Sequence, residues 1–254
     1  MLKRITICVL AVSAMLSLGS AQTSKTVAPG IKIRVLSYNI KHCQGMDGKV
    51  DVARTAAVVR SVKPDIVALQ EVDVNVGRSG RVNEAVELGR LTGMRAIFGP
   101  TIDLDGGKYG NAVLTRLPVK MWSNHALPGI EPRALLDVDL GTFQFFATHL
   151  DVGRDDARRR ASIPEINSLA AGPAILAGDL NSTPDSATLR VLKTEWSVVG
   201  QGKSLLTIPS GTPRRQIDFV LFRPAHRWHV AEVRVLNERV ASDHRPIFAV
   251  LELK

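Results

Sequence analysis

The 254-residue sequence predicts a mixed α/β protein in which two β-sheets pack together with helices outside. Three observations carry that expectation. Strand-like and helix-like segments alternate up to residue 93 and again after residue 150. Between them, residues 94–150 are short apolar runs punctuated by Pro and Gly, the pattern of antiparallel hairpins. No linker, composition break or internal repeat interrupts residues 31–254, so one domain is expected there.

The first 21 residues stand apart from that domain. Lys3 and Arg4 precede an apolar stretch from Ile5 to Leu18, and Gly19-Ser20-Ala21 supplies small residues for cleavage. The apolar stretch is shorter than the roughly 20 residues a membrane span needs. The segment reads as a signal peptide cut near Ala21, with a retained signal anchor as the alternative. A mature chain starting at Gln22 is expected to be exported, periplasmic or secreted, with no span left in the membrane. Residues 22–30 read as a flexible leader. Loss of the segment removes Cys8, so Cys43 has no internal disulfide partner and reads as a small apolar filler. It also removes two of the nine net positive charges and no acid, leaving +7. That excess fits a phosphate-bearing partner, and equally a merely soluble basic protein.

The elements follow in order. Alternation over 31–39 predicts a strand ending on Asn39. Asp51 can cap a helix through 61, which Pro64 ends, and 65–71 is a buried strand ending on Gln70-Glu71. A helix is expected over 83–91, stopped by Gly93. Strands follow at 94–98, 110–115, 118–126, 132–140 and 142–150, then a helix over 155–171 bent at Pro164. Arg158-Arg159-Arg160 in that helix reads as a solvated face. A strand from Ala174, a short helix over 185–192, a strand near Trp196, a loop over 200–213 and strands at 216–222, 228–236 and 246–253 complete the chain.

The chemistry concentrates where apolar strands stop. Ala174-Ile175-Leu176-Ala177 runs into Gly178-Asp179-Leu180-Asn181, and residues i and i+2 of an extended chain share a face. Asp179 and Asn181 thus read either as an Asx turn or as a paired carboxylate and amide suited to a hard cation, a water or a phosphate. Other strands end the same way, at Asn39, Glu71, His149 and Asp151. Asp218 lies in the apolar Ile217-Asp218-Phe219-Val220, where a buried carboxylate needs a partner, and Asp243-His244 offers one. Ligands gather where strand ends converge, so these polar ends point to one cleft.

The ordered set Ser37-Tyr38-Asn39-Ile40, Leu69-Gln70-Glu71-Val72-Asp73, Tyr109-Gly110-Asn111, Thr148-His149-Leu150-Asp151, Gly178-Asp179-Leu180-Asn181, Ile217-Asp218-Phe219 and Ser242-Asp243-His244-Arg245-Pro246 closely resembles the endonuclease/exonuclease/phosphatase superfamily. That group holds deoxyribonuclease-I-like nucleases, apurinic endonucleases, inositol polyphosphate 5-phosphatases and secreted sphingomyelinases. The resemblance spans Val35 to the C-terminus and implies a four-layer sandwich of two mixed sheets flanked by helices. It implies that Glu71 is the principal Mg²⁺ (or Mn²⁺) ligand, with Asn39 beside it and Asp243 as a further cation-side carboxylate. Asp179 and Asn181 are similar to the residues that hold and activate the attacking water, or that bind a second cation. His244, oriented by Asp218, and His149 resemble phosphate-facing histidines, and Tyr109 with Asn111 a phosphate-contacting pair. Arg78 and Lys108 flank these motifs as candidate phosphate binders.

The physical chemistry agrees with that reading. A hard cation offsets the charge repulsion that protects phosphate esters, and oxygen donors without clustered Cys or His favour Mg²⁺ or Mn²⁺ over zinc. No covalent nucleophile stands out, so direct in-line attack by water is expected. The expected substrate is a phosphodiester: DNA or RNA, or a phospholipid of the sphingomyelin type. A phosphomonoesterase acting on inositol phosphates is the alternative, and a non-catalytic binding protein is the reading from another class. A monomer without an obligate protein partner is expected.

Overall fold

Period-two patterning in the strands stacks the molecule in layers. In β1 (Lys32–Asn39), Ile33 and Val35 point to one side and Leu36 and Tyr38 to the other, and both sides are buried. The same division holds in β2 (Ile66–Val74), where Ile66 and Ala68 oppose Val67 and Leu69. A strand apolar on both faces must be covered on both faces. One side meets a second sheet and the other meets helices.

The structure is a computed structural model and describes residues 30–254. The expected signal peptide, and the expected leader apart from Gly30, lie outside the described residues. The first sheet has the order β11-β12-β1-β2-β4-β3, with β3 (Arg95–Leu104), β4 (Gly107–Thr115), β11 (Trp228–Val235) and β12 (Ile247–Leu253). The second has the order β5-β6-β7-β8-β10-β9. It is built from β5 (Met121–Leu127), β6 (Arg133–Asp139), β7 (Gln144–His149), β8 (Ala174–Asp179), β9 (Ser197–Val198) and β10 (Asp218–Arg223). Each sheet is mixed, with β1/β2 parallel in one and β7/β8 parallel in the other.

Ile33, Val35, Ile66, Ala68 and Val113 interleave with Val138, Phe145, Ala147, Ile175, Ala177 and Val220 to form the central core between the sheets. Outside the first sheet lie α1 (Val52–Ser61) and α2 (Glu84–Thr92), whose Ala56, Val59, Ala85 and Leu88 cover Leu36, Tyr38 and Leu69. Outside the second lie α3 (Ala157–Leu169) and α4 (Ala187–Leu192), whose Ile163, Ile166, Leu189 and Leu192 cover Phe146, Leu176 and Phe219. The architecture is the expected four-layer sandwich, of the deoxyribonuclease-I-like kind. Among the described residues no helix is long and apolar enough to cross a membrane.

Capping follows the expected residues. Asp51 accepts from Arg54 N–H at 2.9 Å, Asn83 accepts from Val86 N–H at 3.1 Å, and Gly93 ends α2 in the left-handed conformation. Three local differences have physical causes. Strands β2 and β3 continue past their expected ends to Val74 and Leu104, because pairing with the start of β4 satisfies their backbones. Trp196 precedes the short β9 and packs edge-on against Phe146 instead of joining a strand. Arg159 is not on a solvated face. It is buried and donates to Asp156 and to the carbonyls of Asp151 and Gly153, clamping the loop that follows β7.

Candidate active site

The core-facing register of several strands runs on, at one end, into polar side chains. Along β1 the inward positions read Val35, Ser37, Asn39; along β7, Phe145, Ala147, His149; along β8, Ile175, Ala177, Asp179. Strand β10 enters antiparallel and reads Asp218, Val220, Phe222, with Asp218 directly opposite Asp179. Periodicity therefore delivers Asn39, His149, Asp179 and Asp218 to the same end of the inter-sheet space. His149 is also register partner to Asp179.

Glu71 arrives differently. Simple alternation in β2 aims Gln70, not Glu71, between the sheets. The pairing of β2 with β4 slips between Leu69 and Val72, and Glu71 takes a left-handed φ of 59°. That bulge turns the carboxylate into the cleft. Asn181 is also left-handed, at φ 47°, so two residues beside the cleft hold a conformation that non-glycine residues avoid. Gly178 is required by close approach, since a Cβ there meets the Thr148 carbonyl oxygen at 2.0 Å.

A dense hydrogen-bond network results. Asn39 Nδ2 donates to Glu71 Oε1 at 2.8 Å and to Asp179 Oδ2 at 3.2 Å, holding the partly buried and the buried carboxylate together. Asp179 Oδ1 accepts from Asn181 N–H at 2.9 Å. The Asn181 amide donates to Leu150 O and lies 3.0 Å from His149 Nε2. An amide nitrogen only donates, so His149 Nε2 is the acceptor and its ring proton sits on Nδ1, which is buried without a partner. His244 Nδ1 lies 2.9 Å from Asp218 Oδ2, and its Nε2 lies 3.7 Å from Asp179 Oδ2.

The electrostatics sort these groups. Burial pushes the His149 imidazole down to about 4, so it is neutral. Burial also pulls on His244, but the charge and hydrogen bond of Asp218, joined by Asp179 and Asp243, raise it well above the ordinary imidazole range. Burial raises the Glu71 carboxyl, with the Asp179 and Asp243 charges adding to it against the Asn39 bond and His244. Burial likewise raises the Tyr109 phenol, which stays protonated.

These groups open onto a cleft of about 540 Å³, lined among others by Glu71, Tyr109, His149, Asp179, Asn181 and His244. Asn39 and Asp218 lie buried among the groups that line it, positioning them. Four candidates are placed elsewhere. Asn111 is buried and donates to Ala134 O at 3.2 Å, tying β4 to β6 across the sheets. Arg78 holds Asp73 through two hydrogen bonds and lies over the Tyr109 ring, 5.5 Å from its centroid, so it braces Tyr109 and is not in the cleft lining. Lys108 pairs with Asp103 beside a separate surface hollow of the β3–β4 hairpin. Asp243 pairs with Lys41 at 3.6 Å and is absent from the cleft lining, while its charge acts on Glu71 and His244. Motif position alone could not show these partners. The cleft also has residues that no motif announced: Glu131, Arg133, Arg154, Arg159 and Arg215. Glu131, Arg133, Arg154 and Arg215 lie in or beside loops where no local pattern marks them, and Arg159 sits in the basic run of α3.

Asp179, Asp218 and His244 bring potential ligand atoms within 4.8 Å of one another. Donor chemistry separates this set. His244 is already committed to Asp218 and carries positive charge, which repels a cation. Asp179 is buried and Glu71 partly buried, the two are linked through Asn39, and among the described residues Asn39 is the only hydrogen-bond partner of the Glu71 side chain. Oxygen donors with uncompensated charge suit a hard divalent ion.

Two packed mixed sheets, with buried carboxylates and histidines where their strand ends meet, define a phosphoesterase-type scaffold. A sequence profile described as the Endonuclease/Exonuclease/phosphatase family matches residues 36–244, and the chain belongs to that family. Its members are hydrolases acting on phosphoesters and use a divalent metal. The chain is 25% identical over 245 residues to the "Uncharacterized protein YbhP" of Escherichia coli K12, covering 87% of this chain and 96% of that one. An endonuclease/exonuclease/phosphatase of Bacteroides vulgatus superposes with a TM-score of 0.72 at 19% identity, over 88% of this chain and all of the other (100%). A "mannosyl-6-phosphatase Bt3783" of Bacteroides thetaiotaomicron superposes with a TM-score of 0.67 at 20% identity, over 86% and 99% of the two chains.

Proposed function

We propose that this protein is an exported, Mg²⁺- or Mn²⁺-dependent phosphoesterase that hydrolyses a phosphodiester of a nucleic acid or a phospholipid by direct attack of water. The observation that carries this reading is the meeting of Glu71, Asp179, neutral His149 and cationic His244 in one cleft. Glu71 and Asp179 would hold the cation, which when bound would supply charge neutralisation for the phosphate and its leaving oxygen. Asp179 Oδ2, within 4 Å of both imidazoles, is placed to orient the attacking water and take its proton. Asn181 fixes Asp179 through its backbone and His149 through its amide. His244, kept protonated by Asp218, stabilises the charge that grows on the phosphate in the transition state. Tyr109, a neutral phenol braced by Arg78, donates to a phosphate oxygen. Export rests on the basic, apolar and small-residue order of residues 1–21.

A phosphomonoester is the second reading, favoured by the arginines around the cleft and by the similarity to a sugar phosphatase. Purified mature protein should hydrolyse at least one of bis(nitrophenyl) phosphate, DNA, sphingomyelin and inositol phosphates with Mg²⁺ or Mn²⁺, and EDTA should abolish the activity. Inactivity on all of them with either metal would sink the proposal. Glu71→Gln should lose activity at low metal concentration while remaining folded, and retention of full metal-dependent turnover would remove Glu71 from the cation site.

A further inference from the structure

Arg133 is the most deeply buried cleft arginine whose guanidinium is not fully engaged. It begins β6 and is 6% exposed, yet its only ion-pair partner is Glu131, at 3.2 Å, whose side chain is 43% exposed. Its Nε is buried and has no hydrogen-bond partner. Arg159, the other buried arginine of the cleft, differs in having its guanidinium bound by Asp156 and two backbone carbonyls. The Arg133 charge acts on both Tyr109 and His149 and its side chain reaches the Tyr109 hydroxyl, so it stands beside the groups assigned to the phosphate. A buried guanidinium with an open donor at the wall of a cleft calls for an anion.

The backbone around it is fixed, and one side chain is not. Residues 128–132 turn tightly, with no room for a side chain at Gly129, where a Cβ would meet the Glu131 carbonyl oxygen at 2.1 Å and Arg133 Cγ at 2.8 Å. Ile130 N–H donates to Asp151 Oδ1 at 2.7 Å, tying the turn to the loop after His149. Among the described residues the Glu131 carboxylate has no partner besides Arg133. It can swing into solvent and be rehydrated, whereas Arg133 cannot follow it.

We propose that Arg133 is the seat for a non-reacting oxygen of the substrate phosphate, and that Glu131 fills this seat in the resting protein and leaves it when the phosphate arrives. The exchange replaces one carboxylate contact with a phosphate able to take two parallel N–H bonds from the guanidinium. Glu131 is then a competitor of the ligand, which gives its removal a definite sign. This inference rests on the reading of the cleft as a phosphoesterase site.

The test is calorimetric titration of the full mature chain with orthophosphate in EDTA, which keeps the readout independent of metal and turnover. Glu131→Gln should bind orthophosphate about three- to tenfold more tightly than the native protein, as removal of one partly exposed charge competitor allows. Arg133→Lys should weaken binding about tenfold, and Arg133→Met should weaken it further. Thermal melts monitor folding, and if the Arg133 variants do not fold, the sign of the Glu131→Gln change decides alone. Unchanged or weaker binding in Glu131→Gln overturns the proposal, because a merely structural ion pair loses on removal of either partner. So does an absence of phosphate binding by the native chain. If the titrations behave as expected but no phosphoester is hydrolysed, the proposed activity fails and the seat stands. If hydrolysis proceeds and Glu131→Gln does not tighten binding, only the seat fails.

Discussion

His149 and His244 are two imidazoles in nearly the same surroundings. They are 7% and 5% exposed, and their Nε2 atoms lie 3.5 and 3.7 Å from the same Asp179 oxygen. One is neutral and the other is cationic. The difference lies behind each ring. His244 has a buried carboxylate, Asp218, on its Nδ1, whereas His149 has nothing on Nδ1 and an amide donor on Nε2. Burial alone discharges a histidine; burial with a carboxylate on the far nitrogen charges it. A single cleft thus contains a donor with full positive charge and a polar neutral ring, using one residue type twice.

The largest effect should come from removing the charged ring. His244→Ala is expected to lower kcat/KM about a thousandfold, ~4 kcal/mol of transition-state stabilisation, on whichever ester proves to be the substrate. A loss below tenfold would strip His244 of the role. Asp218→Asn sharpens the comparison by making the two histidines alike. Without the carboxylate, the burial that already pulls on His244 is unopposed from behind, and its pKa should fall. Activity at neutral pH should drop about a hundredfold, ~2.7 kcal/mol. The loss should shrink as pH is lowered, since acid restores the imidazolium. His244→Ala should show no such recovery. Parallel pH profiles for the two variants would mean that Asp218 acts on the fold and not through the ring.

This contrast also marks what could be read from the chain before its structure. The register that carries Val35, Ala147 and Ala177 into the core carries Asn39, His149 and Asp179 to the cleft, and both follow from alternation. The Asp218–His244 pair was legible because an acid among Ile217, Phe219 and Val220 demands a partner. Glu71 broke the rule, since its delivery depends on a bulge that alternation does not encode. Arg133 left no mark at all, because its burial is set by β6 packing and by a turn some residues before it. Asn111 and Arg78 show the reverse failure. Their positions within and beside the motifs were plain, but their partners, Ala134 and Asp73, were not.

The smallest effect tests the neutral ring, through stability instead of rate. The folded His149 titrates at about 4 and the unfolded imidazole near its ordinary 6.5, so between those values the unfolded chain binds more protons. Its contribution is therefore complete above pH 6.5 and is lost as pH falls toward 4. Between pH 6.5 and 5 the loss is about 2 kcal/mol. His244 has the opposite sign: its raised pKa contributes fully below 6.5 and the contribution is lost as pH rises above that. Denaturant unfolding of the metal-free protein at pH 5 and 6.5 reads the His149 contribution as the difference from a variant without that ring, since His42, Glu71 and Glu84 also carry shifted pKa values. His149→Gln retains an acceptor for Asn181 but has no proton to gain, so its stability should change less over this interval than that of the native protein. An identical slope in the two proteins would show that His149 is already charged in the fold, and the distinction between the two histidines would then collapse.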